Sequence, residues 1–357
     1  MVISVAGEGK TAAVRFLLSV WIFIPGCDSD VTCRNDNGVP VDWYILYKYP
    51  HMIGGGLKYL YMDAHSTNGW TLSTKIISES GALANTLEPL LDFYDKPTTD
   101  FGYLLYNDQP PDCAVSQSYG HSKGVVMLDK TGKTGVWLSH STPRFPTYHN
   151  RNFWPNNGNR NAQTFLCVTF PYNIFGEIGE QLNYIRVFPF DSYIPADFPN
   201  ELRCIAQRNC DPPRAPWNRI AMLTSYAGRI FVSVAKYSSF GDDLYSGLIS
   251  RSLRKNLFVR TWGNPGQSHL LPSNCSNPDC NVYNVKVVKL PQAFLTDTVD
   301  HSKWCVTEDG PMTCIADLNR MESQKKRGGG AICTDDRVVV RAFYALIRRC
   351  EPCPSNG

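Results

Sequence analysis

Alternating and continuous hydrophobic runs along the chain predict a protein rich in β-strands. Short runs with many β-branched and aromatic residues are typical of strands. The predicted strands are VDWYILYKY at 41–49, GVVMLD at 124–129, GVWLSH at 135–140, TFLCVTF at 164–170, IFVSVAKY at 230–237 and VYNVKVVKL at 282–290. The glycines of KTGKTG at 130–135 favour a hairpin between the second and third of these strands.

Longer segments with apolar residues at helical spacing predict three helices. They are SGALANTLEPLLDFY at 80–94, DLYSGLISRSLRKN at 243–256 and DRVVVRAFYALIRR at 336–349. The segments 141–163 and 204–218 predict loops, and Cys204 with Cys210 could close a small loop in the second. Strands with interspersed helices in both halves predict a mixed α/β fold.

The first 29 residues have the pattern of a secretory signal peptide. Lys10 and Arg15 precede FLLSVWIFIP, an apolar run of ten residues that is too short to cross a bilayer. Cleavage after Ser29 would place the small residues Cys27 and Ser29 at the usual positions. No later segment of the sequence reads as a membrane anchor, so we expect a secreted or lysosomal protein without stable membrane association.

The sequence has thirteen cysteines, and all but one follow the predicted leader. This number is typical of an oxidising compartment, where cysteines pair as disulfides. A zinc site would need two ligand clusters, whereas Cys350 and Cys353 form one CxxC and Cys275 and Cys280 are too far apart. Asn274, in NCS, is the glycosylation acceptor of the sequence, which suits an exported protein.

Bulk charge does not identify a partner for the protein. The formal net charge is +3 at pH 7, which is too small to indicate a nucleic-acid-binding protein. In an acidic compartment the seven histidines would become protonated. Most carboxylates stay ionised at about pH 5, so attraction to a polyanion would increase there.

The tripeptide His-Ser-Lys occurs twice, as His121–Lys123 in GHSKGV and as His301–Lys303 in DHSKWCV. Residues i and i+2 of a strand point to the same face, so the histidine and lysine of each tripeptide should project together. Lysine offsets charge on phosphate oxygens, while histidine attacks phosphorus or protonates a leaving oxygen. Two such pairs would place a nucleophile and a general acid on opposite sides of one phosphate, with no metal or other cofactor.

A second polar residue follows each tripeptide at a similar distance. His140 lies 19 residues after His121, and Asn319 lies 18 residues after His301. This spacing resembles the HxK motif of the phospholipase D superfamily, whose half-sites carry an asparagine after a similar interval. The acidic residue that follows each lysine arrives one residue later than in the superfamily, and the first half has His140 in place of asparagine.

Longer strings resemble the deoxyribonuclease II family of acid endonucleases. They are PVDWYILYKYP at 40–50, LLYNDQPP at 104–111, GHSKGVVMLD at 120–129, WLSHSTPRFP at 137–146, FLCVTFP at 165–171, FGDDLYSG at 240–247, LPSNCS at 271–276, DHSKWCV at 300–306 and RGGGAIC at 327–333. The resemblance implies two phospholipase D-like α/β halves related by a pseudo-twofold in one chain, each with one HxK motif. We expect a signal peptide at 1–29 and halves at 30–203 and 204–357.

The resemblance also implies a metal-independent endonuclease that cleaves DNA at acid pH, through a phosphohistidine, to leave 3′-phosphate and 5′-hydroxyl ends. The family's active histidines and motif lysines fall on His121, His140, His301, Lys123 and Lys303. The sequence does not decide which histidine attacks; we favour His121 as nucleophile and His301 as general acid for the 5′-oxygen. His140 would support them, the lysines would stabilise developing charge, and Asn319 would add a donor.

An acid optimum has a physical reason besides the resemblance. Attack needs a neutral histidine, whereas departure of the leaving group needs a protonated one. Near pH 5 a histidine of ordinary pKa supplies the proton, and the two lysines lower the pKa of its neighbour towards the neutral form. We therefore expect activity to fall above about pH 7.

The family's disulfides map onto three pairs of cysteines, Cys33 with Cys167, Cys275 with Cys353 and Cys314 with Cys333. The resemblance leaves Cys113, Cys204, Cys210, Cys280, Cys305 and Cys350 unassigned. Among these, Cys280 and Cys350 could bridge beside the link between Cys275 and Cys353.

Several interpretations stay open at the level of sequence. Asp242 and Asp243 precede a predicted helix and are interpreted as its N-terminal cap. KKRGGG at 325–330 could contact phosphates or form a solvated loop. A non-catalytic DNA-binding protein, a lipid phosphodiesterase and a disulfide-rich adhesion module are alternatives to a nuclease. Two half-sites in one chain suit a monomer and are also compatible with a homodimer.

Overall fold

The computed structural model describes residues 30–263, 266 and 269–354. The predicted signal peptide at 1–29 lies outside the described residues. Across the described part of the chain, no helix is long and apolar enough to cross a membrane.

The protein consists mainly of strands, with a small number of helices between them. The strands are β1 Cys33–Arg34, β2 Pro40–Val41, β3 Trp43–Lys48, β4 Tyr59–Asp63, β5 Thr71–Leu72, β6 Phe101–Asn107, β7 Lys123–Asp129, β8 Thr134–His140, β9 Gln163–Pro171, β10 Pro189–Tyr193, β11 Asn218–Thr224, β12 Ile230–Lys236, β13 Leu257–Arg260, β14 Val282–Leu290, β15 Ala293–Thr296, β16 Trp304–Thr307, β17 Thr313–Ala316, β18 Gly329–Thr334 and β19 Ile347–Cys350. The α-helices are α1 Ala82–Asp95, α2 Phe175–Ile185, α3 Asn200–Gln207, α4 Ser250–Leu253, α5 Glu322–Lys325 and α6 Arg337–Tyr344. A π-helical segment, Leu244–Ile249, leads directly into α4, and 3-10 turns occur at Gly54–Gly56, Asn156–Asn159, Tyr172–Ile174 and Ser238–Phe240.

Two large sheets organise the described residues. The first sheet has the strand order β10-β6-β7-β8-β9-β3-β4-β5, with antiparallel neighbours throughout. The second has the order β11-β12-β18-β17-β16-β13-β14-β15, and β19 pairs with β14. This combination of large sheets and few helices confirms the predicted mixed α/β fold.

The two sheets repeat one connection pattern. The adjacent strands β3, β9, β8, β7 and β6 of the first sheet correspond to β12, β18, β17, β16 and β13 of the second. The helices correspond too. In chain order, α1 comes after β3 and α2 after β9 in the first half, and the π-helical segment comes after β12 and α6 after β18 in the second. This repetition is consistent with two phospholipase D-like halves. The boundary at 203/204 stays a prediction, and α3, Asn200–Gln207, runs across it.

One large hydrophobic cluster joins the halves. It includes Trp137 and Leu166 from the first sheet, Trp304 and Ile332 from the second, and Phe343 from α6. Each half also has a cluster on its other side, where α1 or the π-helical segment covers the sheet. Because the central cluster contains buried residues from both sheets, the two halves share a core and hold the strand ends between them in a fixed arrangement.

The predicted strands at 41–49, 124–129, 135–140, 164–170, 230–237 and 282–290 are confirmed to within two residues at their ends. The predicted hairpin is also confirmed, since β7 pairs antiparallel with β8. The first predicted helix corresponds to α1. Asp243 caps the π-helical segment, because its carboxylate accepts a hydrogen bond from the Ser246 backbone N–H at 2.9 Å.

Two predicted elements were wrong in part. The third predicted helix ends at Tyr344, and the following Ile347–Cys350 forms strand β19. This strand pairs with β14, so sheet pairing overrides the helical pattern of the last residues. The predicted loop at 204–218 begins inside α3, whose apolar side chains Leu202 and Ile205 are buried.

Four disulfides are present among the described cysteines. Three are the pairs that the resemblance implies, Cys33–Cys167, Cys275–Cys353 and Cys314–Cys333, and the fourth is Cys204–Cys210, the small loop suggested by the sequence. The suggested bridge between Cys280 and Cys350 is not formed, and both residues are free thiols. Cys350 pairs with Val285 on β14, whereas Cys280 lies before that strand, beside the Ser250 carbonyl.

Candidate active site

Both His-Ser-Lys tripeptides lie at the start of equivalent strands. Lys123 is the first residue of β7, and Lys303 directly precedes β16. The histidines therefore stand just before the strands rather than within them. The antiparallel partners of these strands fix the tripeptides at the same end of each half, and the shared core brings the two ends together.

A cleft with a volume of about 720 Å³ opens between the halves at this point. Five of the six predicted catalytic residues line it, namely His121, Lys123, His301, Lys303 and Asn319. Its remaining walls come from Trp262 and from the segments around 108–117, 141–163 and 319–327. The structure thus brings both tripeptides to one site, as two half-sites acting on one phosphate require.

The His121 ring is held by the opposite half of the protein. Its Nδ1 lies 2.9 Å from the backbone carbonyl of Asp317, and its backbone N–H donates to the Gly328 carbonyl at 2.9 Å. A carbonyl only accepts, so Nδ1 carries the proton and Nε2 is the free nitrogen. Burial is the main reason that the pKa of His121 falls from its ordinary value to about 3.

Lys123 belongs to a buried ion network that crosses between the halves. Its ammonium contacts Oδ1 of Asp108, and the Arg327 guanidinium donates to Oδ2 of the same carboxylate at 3.1 Å. Burial alone would raise the pKa of Asp108, but His121, Lys123 and Arg327 outweigh it and hold the pKa well below its usual range. Asp108 therefore stays ionised at acid pH and fixes the position of Lys123.

His301 has a different environment, in which an aromatic ring replaces the carboxylate. Its ring centroid lies 4.2 Å from that of Trp262, with an angle of 41° between the planes. Burial, followed by the positive charge of Lys303 and Lys123, lowers the pKa of His301 to about 2. Its backbone N–H donates to the Ala162 carbonyl at 2.9 Å, which ties the second tripeptide to the first half.

Lys303 and Asp317 titrate close to neutrality in this structure. Burial and the nearby Lys123 lower the pKa of Lys303 to about 7. Burial raises the pKa of Asp317 to about 7, although its carboxylate accepts the Gly330 backbone N–H at 2.8 Å. Both groups are protonated at acid pH, so Lys303 is then positive and Asp317 is neutral.

These directions correct one part of the sequence-based interpretation. Neither cleft histidine has an ordinary pKa in the free protein, because burial lowers the pKa of both His121 and His301. The cleft therefore lacks the histidine of ordinary pKa that the sequence-based interpretation assumed. An anionic phosphate in the cleft would raise the pKa of an adjacent imidazole, since an opposite charge favours the protonated form.

His140 does not line the cleft. Its Nδ1 accepts the Thr142 backbone N–H at 3.2 Å, and its ring packs against Phe145 and Phe165. Only 3% of the side chain is exposed, and Nε2 has no hydrogen-bond partner. Since Gly124 pairs with Ser139, the next position of the antiparallel register sets His140 opposite Lys123.

Asn319 is in the cleft, but it is not the structural equivalent of His140. The backbone N–H of Ala316 donates to the Lys303 carbonyl, so Ala316 lies opposite Lys303 as His140 lies opposite Lys123. Asn319 comes three residues later, where its Oδ1 accepts the Trp262 backbone N–H at 3.2 Å. The interval from His121 to His140 is nearly the same as that from His301 to Asn319 for a simple reason. The strands β7 and β8 are longer than β16 and β17, so the same number of residues ends within β8 in the first half and beyond β17 in the second.

The segment KKRGGG divides into a buried part and a solvated part. Arg327 and the three glycines are buried, and Arg327 lines the cleft, whereas Lys325 is partly exposed and Lys326 is exposed. Only 9% of Arg327 is exposed, and its guanidinium also donates to the Tyr119 carbonyl at 3.0 Å. A Cβ on Gly328 would lie 2.0 Å from the Ile185 carbonyl oxygen, so any residue with a side chain would clash with the backbone at this position. The buried Lys236 ammonium donates to the Arg327 carbonyl at 2.6 Å and helps to fix this turn.

Sequence reasoning missed several residues of the cleft. Asp108, Trp262, Arg144 and Arg160 line it. Asp108 and Arg144 fall within strings that resemble the family but were not singled out there, and Trp262 and Arg160 fall within none of those strings. Asp108 is found only through pairing, because its backbone N–H donates to the Ser122 carbonyl across β6 and β7 at 3.3 Å. Among the described residues, no group of three or more His, Cys, Asp and Glu side chains could hold a metal ion. Metal-independent chemistry stays a prediction.

Comparison with known proteins gives a consistent set of relatives. The protein-family model described as deoxyribonuclease II matches residues 32–353. The chain is 40% identical to deoxyribonuclease-2-alpha of Rattus norvegicus, over 96% of this chain and 99% of that protein. It is 38% identical to deoxyribonuclease-2-beta of Mus musculus, over 90% of this chain and 92% of that protein. It is also 37% identical to plancitoxin-1 of Acanthaster planci, over 92% of this chain and 94% of that protein.

Proposed function

Because the chain belongs to the deoxyribonuclease II family, we propose that it is an acid endonuclease that hydrolyses DNA phosphodiester bonds without a metal ion. One observation carries the proposal, namely that the histidine and lysine of both tripeptides line a single cleft. DNA is the substrate, and its backbone supplies the anionic phosphate that such a cationic cleft attracts.

The lysines bind the scissile phosphate. Lys123 and Lys303 are each 3% exposed and approach the cleft from opposite halves. Both ammonium groups face the non-bridging oxygens, where charge increases as the transition state forms. Arg144 and Arg160, in the loop 141–163, lie along the same cleft and contact neighbouring phosphates.

The reaction proceeds in two displacements at phosphorus. Nε2 of His121 attacks phosphorus, the bond to the 5′-oxygen breaks, and protonated His301 gives its proton to that oxygen. Neutral His301 then takes a proton from water, and the water oxygen displaces His121 from phosphorus. The products are a 3′-phosphate and a 5′-hydroxyl, and both histidines return to their starting states.

The bound phosphate explains how acid pH activates the site. In the free protein burial keeps both histidines neutral, with the pKa of His301 at about 2. The phosphate monoanion offsets the charge of the lysines and raises the pKa of His301, which is then protonated at about pH 5. Activity declines towards alkaline pH as this proton and that of Lys303, whose pKa is about 7, are lost.

We further propose a secreted or lysosomal location without stable membrane association. The disulfides Cys33–Cys167, Cys204–Cys210, Cys275–Cys353 and Cys314–Cys333 suit an oxidising compartment, and Asn274 is the expected glycosylation site. Because one chain carries both half-sites, a monomer is sufficient for catalysis, and a homodimer would contain two separate sites.

Analysis of the product ends tests this proposal. A short duplex digested at pH 5 in EDTA should yield fragments that a DNA polymerase extends only after a phosphatase has removed the 3′-phosphate. The same fragments should accept a labelled phosphate at their 5′-hydroxyl directly. Ends with a 3′-hydroxyl and a 5′-phosphate would contradict the proposed mechanism.

A further inference from the structure

The two half-sites differ at one pair of structurally equivalent positions. On the first half, the residue opposite Ser122 is Asp108, whose backbone N–H donates to the Ser122 carbonyl. On the second half, Arg260 of β13 pairs with Trp304 of β16. Extending this antiparallel register by two residues places Trp262 opposite Ser302. A carboxylate and an indole thus stand at corresponding register positions, although the Trp262 backbone N–H donates to Asn319 Oδ1 and not to the Ser302 carbonyl.

Asp108 makes its direct contact with the lysine of its half-site, and its negative charge also raises the pKa of His121, although burial outweighs that effect. One carboxylate oxygen contacts Lys123 and the other accepts from Arg327, so both oxygens are committed to cations. His121 is instead fixed through Nδ1 by the Asp317 carbonyl, which leaves Nε2 with its lone pair towards the cleft. A fixed tautomer with a free nitrogen is the state that a nucleophile needs.

Trp262 acts on the histidine of its half-site. The indole centroid lies 4.2 Å from the imidazole centroid, within the range of a cation–π contact. The indole is itself fixed, because Nε1 donates to the Thr298 carbonyl and the backbone N–H donates to Asn319 Oδ1, both at 3.2 Å. After burial, the charged groups that lower the pKa of His301 most are Lys303, Lys123, His121 and Arg160. The carboxylates of Asp108, Asp300 and Asp317 act on the neighbouring Lys303 and raise its pKa, although burial outweighs them.

We infer that Trp262 is a positioning residue that makes His301 the general acid, so that the two otherwise similar half-sites take different roles. The π-face of the indole stabilises the imidazolium form once the substrate phosphate is bound, and it holds the ring in the orientation for proton transfer to the 5′-oxygen. This inference rests on the proposed function.

A substrate whose leaving group needs no proton shows whether Trp262 acts through the general acid His301. The 4-nitrophenolate of thymidine 3′-(4-nitrophenyl phosphate) departs without a proton, whereas the 5′-oxygen of DNA requires one. The variants Trp262→Leu, Trp262→Phe, His301→Ala and His121→Ala are compared with the parent on both substrates. Trp217→Leu is the matched control, because Trp217 packs on Tyr237 and does not line the cleft.

Trp262→Leu should lose about tenfold in kcat on DNA with an unchanged KM, and the alkaline limb of its pH profile should move to lower pH. On the nitrophenyl ester it should equal the parent. Trp262→Phe should recover most of the loss on DNA. His301→Ala should lose about 100-fold or more on DNA. On the ester it should release a rapid burst of 4-nitrophenolate equal to the enzyme present, because departure needs no acid, and then turn over slowly, because hydrolysis of the phosphohistidine still needs His301 as base. His121→Ala should be inactive on both substrates.

Equal losses of Trp262→Leu on the two substrates, or a change confined to KM on DNA, would overturn the inference and assign Trp262 a structural or base-contacting role. A burst on the ester from His121→Ala rather than from His301→Ala would also overturn it, because the roles would be reversed. If the parent cleaves no DNA, or His121→Ala still cleaves it, the proposed function itself fails.

Discussion

Arg327, from the second half of the chain, donates to the carboxylate of Asp108, from the first half, at 3.1 Å. The same carboxylate contacts the Lys123 ammonium, so the ion network connects the halves at the cleft. Its three side chains are nearly excluded from solvent. The network therefore couples the stability of the fold to the geometry of the cleft.

Removing the carboxylate should destabilise the protein. Asp108→Ala leaves two buried cations without a counter-charge and should lower the free energy of unfolding by about 3–5 kcal/mol. The loss should be similar at pH 5 and pH 7. Because the pKa of Asp108 is lowered, its contribution is complete above about pH 3.9, the unfolded pKa, and fades only as the pH falls through the folded pKa.

Denaturant titration of both proteins at the two pH values measures this effect. Lys130→Ala is the control, because the ion pair between Lys130 and Asp197 is exposed and its loss should hardly move the midpoint. If the unfolding midpoint of Asp108→Ala differs from that of the parent as little as the midpoint of Lys130→Ala does, the network does not hold the halves together.

DNA binding should weaken as the pH rises through neutrality. Between pH 5 and pH 8.5, Lys303 loses a proton because its pKa is about 7, and Asp317 ionises because its pKa is also about 7. The cleft becomes more negative by up to two charges, so the Kd of a short duplex should rise about 10- to 100-fold. Fluorescence anisotropy with the His121→Ala variant measures binding without cleavage.

Asp317→Asn separates the two titrations. The amide keeps the neutral form at every pH, so in the same His121→Ala background the double variant should show a smaller rise in Kd. Lys303 alone would then account for the remaining change. A pH dependence identical to that of the single variant would mean that Asp317 does not ionise in this range.

Cys113 reports whether DNA occupies the predicted cleft. It is an exposed free thiol that lines the cleft, whereas Cys280 is a partly buried free thiol in a separate pocket. With the His121→Ala variant at acid pH, saturating duplex should slow the reaction of Cys113 with 4,4′-dithiodipyridine, and the rate at Cys280 should not change. Mass spectrometry of the labelled peptides gives both rates. Equal labelling of Cys113 with and without DNA would place the substrate elsewhere.

Local patterns in the sequence predicted the elements that carry the site. The runs that became β7 and β8 alternate or are continuously apolar, and both are fully buried in the structure. The repeated tripeptide identified the histidines and lysines that the structure brings to one cleft, because the same spacing recurs at equivalent strand starts. The resemblance to a known family supplied the roles and the disulfide pairs, which local patterns do not contain.

Other features depend on pairing that sequence spacing does not determine. His140 and Asn319 follow the tripeptides at similar intervals, yet the different strand lengths place His140 under Lys123 and Asn319 in the cleft. Asp108 and Trp262 reach the cleft only because β6 pairs with β7 and β13 pairs with β16, which brings the ends of β6 and β13 beside the tripeptides. The last residues of the third predicted helix form a strand, because Ile347–Cys350 pairs with β14.

The central claim is that the two tripeptides form one metal-independent site. The direct measurement is plasmid nicking at pH 5 in excess EDTA by the parent, His121→Ala and His301→Ala, with His51→Ala as a control because His51 lies outside the cleft. The account predicts that the parent and His51→Ala nick the plasmid, and that the two cleft variants lose at least about 100-fold in rate. A parent that is folded but inert in EDTA, or a cleft variant that keeps the parental rate, would contradict it.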